Sequence, residues 1–245
     1  MLSHDELIRY DRQIKLLGLK NQVKLKKATV LVVGVGGLGT AASLYLAAAG
    51  VGKIILVDKD SVELSNLNRQ ILFWTEDIGK PKATAAKDKL EKLNPHVEIV
   101  TYGKKLTEDL ARKLVRETDV VIDALDNWDT RFMLNKICVE ERKPLIHAGV
   151  YGMHGQLLTI IPGEGPCLQC LIPKKPAEAG KFPVIGTTPG ILALMQVTEA
   201  IKIITGYGKP AVGKLIIYDG ERMSFNEILV KRRANCPVCE KLISP

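Results

Sequence analysis

A doubly wound α/β fold, with a mainly parallel sheet extended by antiparallel strands near the C-terminus, is the fold class that this 245-residue sequence predicts. Three observations predict it. Short continuous apolar runs, of the kind buried on both faces of a parallel sheet, alternate with helical patterns through the first 150 residues. One of those runs, Ala28 to Val33, feeds straight into Gly34-Val35-Gly36-Gly37-Leu38-Gly39. Beyond residue 150 strand-like runs follow with few helices between them, which predicts the antiparallel extension.

The elements follow in order. Asp5 to Lys27 is a polar amphipathic start. The strand Ala28–Val33 precedes a helix of small residues, Gly39–Ala49, and then the strand Lys53–Val57, which ends at Asp58. Residues 83–93 read as a helix, Val97–Thr101 as a strand, Asp109–Arg116 as a helix and Asp119–Asp123 as a buried strand. A helix over Asp129–Glu141 leads to the strand Pro144–His147. Gly155–Ile161, Lys214–Tyr218 and Phe225–Val230 read as the antiparallel strands. Residues 173–190, rich in Pro, Gly and Lys, predict a mobile loop, and a long helix follows over Ile191–Thr205. There is no internal repeat. The reading is one domain over 1–245, with a nucleotide-binding half over 1–150 and an extension with a metal-binding tail over 151–245.

A chain of this length buries a real core, and 46% hydrophobic with 25% charged residues is ordinary for a soluble globular protein. The net charge of +8, from 35 basic and 27 acidic residues, suits an acidic protein partner, a nucleotide or RNA without choosing among them. The N-terminus has no charged-then-apolar secretion pattern, and no apolar run reaches membrane-spanning length. The expectation is therefore a cytoplasmic protein without a membrane partner. Five cysteines in a reducing compartment read as ligands, catalysts or core residues rather than disulfides. Cys138, alone on an apolar helical face, reads as core.

In a strand–turn–helix, Gly34 permits the tight turn, Gly36 lets backbone approach a phosphate, and Gly39 lets the helix pack against its strand. The helix N-terminus offers unpaired N–H groups to an anion. Asp58, at the end of the next strand, is placed to accept hydrogen bonds from ribose hydroxyls. This Rossmann-like constellation predicts nucleotide binding and does not separate NAD from ATP.

Ser65-Asn66-Leu67-Asn68-Arg69-Gln70 and Gly79-Lys80-Pro81-Lys82 add cations that a triphosphate needs as pyrophosphate leaves, although Arg69 and Lys82 taken singly also read as surface residues. Asp126, in Asp123-Ala124-Leu125-Asp126-Asn127, lies at the carboxyl edge of the sheet, where a carboxylate can hold Mg²⁺ or simply cap the helix beginning near Asp129. Cys167-x-x-Cys170 and Cys236-x-x-Cys239 form two knuckles that folding can join into a closed tetrahedral Zn²⁺ site stapling the tail to the body; redox-active pairs are the other reading. His147 and His154 lie near the same sheet edge, His147 reading mainly as a packing or hydrogen-bonding residue, and Trp128 can flank a nucleotide or cover the core.

Together with Arg9-Tyr10-Asp11-Arg12-Gln13-Ile14, Gly149 to Gly155 and Glu199-Ala200-Ile201-Lys202, these motifs resemble the ubiquitin-activating-enzyme superfamily over nearly the whole chain. More narrowly, they resemble the MoeB/ThiF/HesA adenylyltransferases of molybdopterin and thiamine biosynthesis. The resemblance implies that ATP adenylates the C-terminal Gly-Gly carboxylate of a ubiquitin-fold sulfur-carrier protein, giving an acyl-adenylate and pyrophosphate. It implies that Gly34, Gly36, Gly37 and Gly39 form the phosphate loop, that Asp58 holds the ribose, and that Arg69 and Lys82 bind phosphates with help from Asn66. It further implies that Asp126 binds Mg²⁺ and that Arg12 reaches the ATP site of a neighbouring subunit, hence a homodimer. Cys167, Cys170, Cys236 and Cys239 take the zinc ion in this pattern.

The sequence departs from some relatives: residues 171–195 contain no cysteine, and Thr187 and Thr188 have no evident activating base. The expectation is adenylation alone, with sulfur supplied by a separate donor. Three other readings compete. An NAD-dependent oxidoreductase leaves Arg69, Lys82 and Asp126 without a joint role. A relative that adenylates a carboxylate on a modified tRNA base suits the positive charge. A catalytically silent zinc scaffold has no use for the intact basic and acidic motifs.

Overall fold

The computed structural model describes residues 1–177, 180 and 182–240. Its described residues form one eight-stranded sheet in the order β3-β2-β1-β4-β5-β6-β7-β8. The first five strands are parallel: β1 (Thr29–Val33), β2 (Lys53–Val57), β3 (Glu98–Tyr102), β4 (Val120–Asp123) and β5 (Leu145–Tyr151). The remaining three are antiparallel: β6 (His154–Ile160), β7 (Lys214–Asp219) and β8 (Ser224–Leu229). β5 is the hinge of the pattern, parallel to β4 on one side and antiparallel to β6 on the other.

Three short helices open the chain: α1 (His4–Arg9), α2 (Asp11–Leu17) and α3 (Leu19–Lys27). Ser3 starts α1 through a reciprocal capping box with Glu6. The Tyr10 hydroxyl accepts a 2.8 Å hydrogen bond from the buried Asn94 amide, and Gln13 donates to the Ala49 carbonyl. These contacts lock α2 onto the end of α4 (Gly37–Ala49).

The sheet is covered on both faces because its central strands alternate between two cores. Val30, Val32, Ile54 and Leu56 pack on one face with α4, α5 (Lys82–Leu93) and α9 (Thr187–Thr205). Leu31, Val33, Ile55 and Val57 pack on the other with α6 (Glu108–Arg116), α7 (Trp128–Glu140) and α8 (Leu168–Leu171). Each fully buried Val, Leu or Ile contributes about 1.5–3 kcal/mol, so the continuous apolar runs read in the sequence are what close this double layer. Cys138 is buried in the second core, where burial raises its thiol pKa and leaves it inert.

The long C-terminal helix begins at Thr187, not at Ile191, so the expected loop over 173–190 ends four residues early. Thr187-Thr188-Pro189-Gly190 belongs to the expected loop for its Pro and Gly content, but proline lacks only a donor that the first helical turn leaves unpaired anyway. Just before it, Gly152 N–H donates to the Pro183 carbonyl at 2.8 Å, Ile185 N–H donates to the Gly152 carbonyl, and Tyr151 stacks on Phe182. The end of the segment is thereby docked on the β5–β6 hairpin. Glu178, Ala179 and Lys181 of that expected loop lie outside the described residues. Glu199 of α9 is buried, accepting from Thr159 Oγ1 and Ala211 N–H at 2.7 Å each. Among the described residues no helix is long and apolar enough to cross a membrane.

Candidate active site

The chain leaves β1 toward β2 and β3 on one side and reaches β4 and β5 on the other, so a crevice opens above the carboxyl ends of β1 and β4. The glycine turn fills the base of this crevice. Gly34 has φ +92°, and a Cβ there would lie 2.5 Å from the Ala124 carbonyl oxygen. A Cβ at Gly39 would lie 1.9 Å from the Gly34 carbonyl oxygen, so the first turn of α4 folds directly over the loop. Asp58 braces the same turn: Oδ2 accepts Val35 N–H at 2.7 Å and Oδ1 accepts Asp60 N–H at 2.8 Å. Burial raises the Asp58 pKa, partly offset by those N–H groups and by Lys82.

The segment from Ser61 to Lys82 arches over one side of the crevice. Asn66 is buried and caps its turn by accepting Glu63 N–H at 3.1 Å, which leaves its NH₂ free to donate to a ligand. The Arg69 guanidinium is steadied through Nη1 on the Ser65 carbonyl at 2.8 Å and the Asn68 side chain at 3.1 Å. The Lys82 ammonium, 8% exposed, lies 3.7 Å from Asp60. Asp77 anchors the arch: it accepts Trp74 N–H at 2.9 Å and Lys80 Nζ at 3.1 Å, and it pairs with Lys89 of α5. Burial alone would raise the Asp77 pKa, but the Lys89 contact and its neighbours hold it at about 2.

Opposite the arch stands the turn between β4 and α7. Asn127, not Asp126, caps α7, its side-chain oxygen accepting Thr130 N–H at 3.0 Å. The capping alternative for Asp126 is thereby removed, and its exposed carboxylate borders the cavity. Behind it, the wholly buried Asp123 accepts a 2.6 Å hydrogen bond from His147 Nδ1, the partner that His147 was expected to find within the protein. Burial favours a neutral Asp123, yet the Arg131 charge and the His147 bond outweigh it and hold its pKa low. Burial dominates at His147, whose pKa is lowered, so the pair is an Asp carboxylate with a neutral imidazole. Gln196 of α9 donates to both the Asp123 and Ile146 carbonyls at 2.8 Å, pinning the last residue of β4 beside β5.

Gly34, Gly36, Gly37, Asp58, Asn66, Arg69, Lys82 and Asp126 all line one cavity of about 1420 Å³. Pockets for small ligands usually hold about 300–1,000 Å³, so this one has room for more than a nucleotide. Its far end is bounded mainly by the apolar and aromatic side chains of Val150, Tyr151, Phe182, Val184 and Ile217, with His154 beside Tyr151, unlike the basic and acidic end. Trp128 lines the cavity as well and packs edge-on against Phe132 with the Arg131 guanidinium over its ring. Two expected site residues are elsewhere. Gly39 lies beneath the loop, and Arg12, exposed on α2, does not line the cavity of its own chain.

Among the polar residues of the cavity wall that sequence reasoning did not assign are Arg131, Gln156 and, within a motif it did quote, Gln70. Gln70 is 4% exposed, its Oε1 lacks a hydrogen-bond partner, and its amide nitrogen would be 3.9 Å from a Cβ on Gly36. The only signal for the other two was their place inside the predicted α7 and β6.

The two cysteine knuckles do meet. Cys167 and Cys236 sulfurs are 3.6 Å apart, Cys170 and Cys239 3.4 Å, and Cys167 and Cys170 3.9 Å. Four thiolates at a tetrahedral zinc–sulfur distance stand about 3.8 Å from one another. All four sulfurs are buried and within 4.8 Å of one another, so this donor set fits zinc.

The ThiF family matches residues 10–238. A sulfur carrier protein adenylyltransferase of Thermus thermophilus is 43% identical over 252 residues, covering 97% of this chain and 92% of the relative. Heterocyst protein HesA of Trichormus variabilis is 44% identical, covering 97% and 90%. The adenylyltransferase and sulfurtransferase MOCS3 of Culex quinquefasciatus is 41% identical over 97% of this chain, which spans 56% of that protein. Among solved structures, Escherichia coli MccB with ATP matches with a TM-score of 0.86 at 28% identity, over 94% of this chain and 74% of that one. Through this match, together with a cavity that pairs a glycine loop with two cations and a carboxylate, the chain belongs to the ThiF family and is an adenylating enzyme.

Proposed function

We propose that this protein uses ATP to adenylate the C-terminal Gly-Gly carboxylate of a small ubiquitin-fold sulfur-carrier protein, releasing pyrophosphate. The observation that carries the reading is one cavity, basic and acidic at one end and largely apolar at the other, large enough for a nucleotide and a peptide tail together. The 43% identical sulfur carrier protein adenylyltransferase supports the choice of substrate.

In this reading Asp58 accepts the ribose hydroxyls with the lone pairs that Val35 and Asp60 leave unused. The N–H groups at the start of α4 take phosphate oxygens, and Gly36, where a Cβ would meet only the Gln70 amide nitrogen at 3.9 Å, lets the nucleotide approach. Arg69, Lys82 and Asn66 neutralise and orient the phosphates, and Asp126 holds Mg²⁺, which when bound supplies further charge neutralisation. The substrate carboxylate is already ionised at neutral pH, so no general base is required. Its oxygen forms a bond to the α-phosphorus while the bond to the pyrophosphate oxygen breaks, and catalysis is positioning plus charge neutralisation. Arg12 completes the site from a second copy of the chain. Zinc in the four-cysteine cluster is structural, since four thiolates close its coordination.

With no cysteine in residues 171–195, the acyl-adenylate is the end product and a separate protein delivers sulfur. We take 1–245 as a single functional unit, an assignment supported by one sheet running through both halves. The test is Mg²⁺-dependent ATP–pyrophosphate exchange with ubiquitin-fold proteins of the source organism that end in Gly-Gly. Exchange that requires such a carrier supports the reading, and its absence with every such carrier, alongside intact ATP binding, overturns it.

A further inference from the structure

Arg131 and Gln156 have no part in the reaction as described so far. Arg131 is 6% exposed, and its guanidinium joins the two sides of the site: Nη2 donates to the Ala148 carbonyl at 2.9 Å and also to the Leu125 carbonyl. Leu125 precedes Asp126 and Ala148 precedes Gly149, so the cation is wedged between the Asp126 turn and the end of β5. Its Nε is buried without a hydrogen-bond partner, 3.7 Å from Asp123 Oδ1. Gln156 stands opposite Gly149 in the β5–β6 ladder. Its Nε2 has only a 3.5 Å approach to His147 Nε2, at the limit of a hydrogen bond.

Gly149 brings the two nitrogens together. A Cβ there would lie 3.4 Å from Arg131 Nη1 and 3.3 Å from Gln156 Nε2. The glycine therefore leaves two donors, one of them cationic, side by side over bare backbone, and all three residues line the cavity. Convergent donors of this kind, lacking a strong acceptor from the protein, bind an anionic oxygen.

Sheet order says which oxygen. The glycine loop stands over β1, Asp126 over β4 and Gly149 over β5, three neighbouring strands spaced about 4.8 Å apart. Phosphates gathered at the α4 N-terminus are thus roughly 10 Å from Gly149. The largely apolar wall with Val150 and Ile217 continues from Gly149 over β5 and β7, a surface that suits a peptide tail better than the charged oxygens of a polyphosphate.

We propose that Arg131 Nη1 and Gln156 Nε2 hold the C-terminal carboxylate of the protein substrate by its non-attacking oxygen. This rests on the adenylation reading. The other oxygen is thereby turned toward the α-phosphorus above Asp126. As that P–O bond forms, pyrophosphate departs with the electron pair of the broken bond. The held oxygen becomes the acyl carbonyl, and no proton moves. The nearby Asp123 carboxylate balances part of the Arg131 charge, so the substrate is oriented without being trapped as a tight ion pair.

The test measures ATP–pyrophosphate exchange with a Gly-Gly carrier of the source organism for wild type, Gln156→Leu and Arg131→Lys. The same carrier ending in a carboxamide serves as an unreactive binding competitor. Gln156→Leu removes no strong protein contact, so it keeps the test independent of the folding role of Arg131. The expected result is a carrier KM raised about 5–10-fold in Gln156→Leu and further in Arg131→Lys. The KM for ATP should stay within about twofold, and the wild-type preference for the acid-ended over the amide-ended carrier should shrink in both variants. An unchanged carrier KM in Gln156→Leu with that preference intact, or an equal rise in both KM values, overturns the inference alone. Failure of the wild type to exchange with any carrier overturns the adenylation reading and this one with it.

Discussion

His147 donates its Nδ1–H to the Asp123 carboxylate at 2.6 Å, with both side chains sealed from solvent at the root of the Asp126 turn. The pKa values of both residues are depressed, and the two shifts act in the same pH direction. The folded state denies His147 its proton, whereas the unfolded chain takes it up near the ordinary 6.5. Stability is therefore lost as pH falls below that value, by up to about 1.4 kcal/mol per pH unit. Asp123 contributes stability that is present above its ordinary 3.8 and lost as pH falls through its lower folded value. Resistance to unfolding by urea should thus weaken from about pH 6.5 downward. His147→Gln should be less stable at pH 7.5 by about 1–3 kcal/mol, with a shallower slope between pH 6.5 and 5. Parallel slopes for the two proteins would count against the neutral imidazole.

Neighbouring residues 126 and 127 should separate chemistry from stability. Asp126 is exposed and caps nothing, so Asp126→Ala should leave stability within about 0.5 kcal/mol while lowering pyrophosphate exchange roughly 100-fold or more. Asn127→Ala, which removes the cap on Thr130 N–H, should cost about 1 kcal/mol. Thermal melts beside exchange rates give both readings at once.

Arg12 projects from a helix that Tyr10 and Gln13 bind to the body, and it does not line the cavity of its own chain. If it serves a neighbouring subunit, Arg12→Ala and Asp126→Ala should each be inactive alone and recover when mixed. Half of the randomly formed dimers would carry one intact site, which gives about a quarter of the wild-type activity. No recovery after confirmed subunit exchange would place Arg12 outside the reaction.

Thiol accessibility should report the metal. With zinc bound, none of the five cysteines should react quickly with a disulfide reagent. A strong chelator should release zinc and expose the four clustered thiols, leaving Cys138 unreactive until the protein unfolds. Rapid reaction of the four thiols in freshly purified, metal-analysed protein would rule out a closed zinc site.

Features written as short spacings were legible before the fold was known. Gly34 to Gly39, Asp58 and the cysteine knuckles encode their partners in a few residues, because a tight turn or a pair of ligands permits little else. Asp126 was found from its place at a strand end, but its competition with Asn127 for the helix cap needed coordinates. Arg131, Gln156 and Gln196 were illegible for a different reason. Each sits at an unremarked position of an ordinary helix or strand and acquires meaning only when distant carbonyls and a bare glycine converge on it. The start of α9 was misplaced because Pro189 and Gly190 weigh as breakers in a local reading, whereas the docking of residues 183–188 on the β5–β6 hairpin decides the outcome.

With zinc bound, the four-cysteine cluster would join points 69 residues apart in the chain, and everything between them, including α9 and the two outer strands, would become a closed circuit. Closing a circuit of that size removes freedom from the unfolded chain worth about 4 kcal/mol when scaled as for a covalent cross-link. It also changes what a broken backbone means. A protease cut at the exposed Lys174 would open the circuit without releasing either end, since one stays fixed by the knuckle and the other by the sheet. Such a nicked protein should migrate as two fragments under denaturing, metal-free conditions and as one body otherwise.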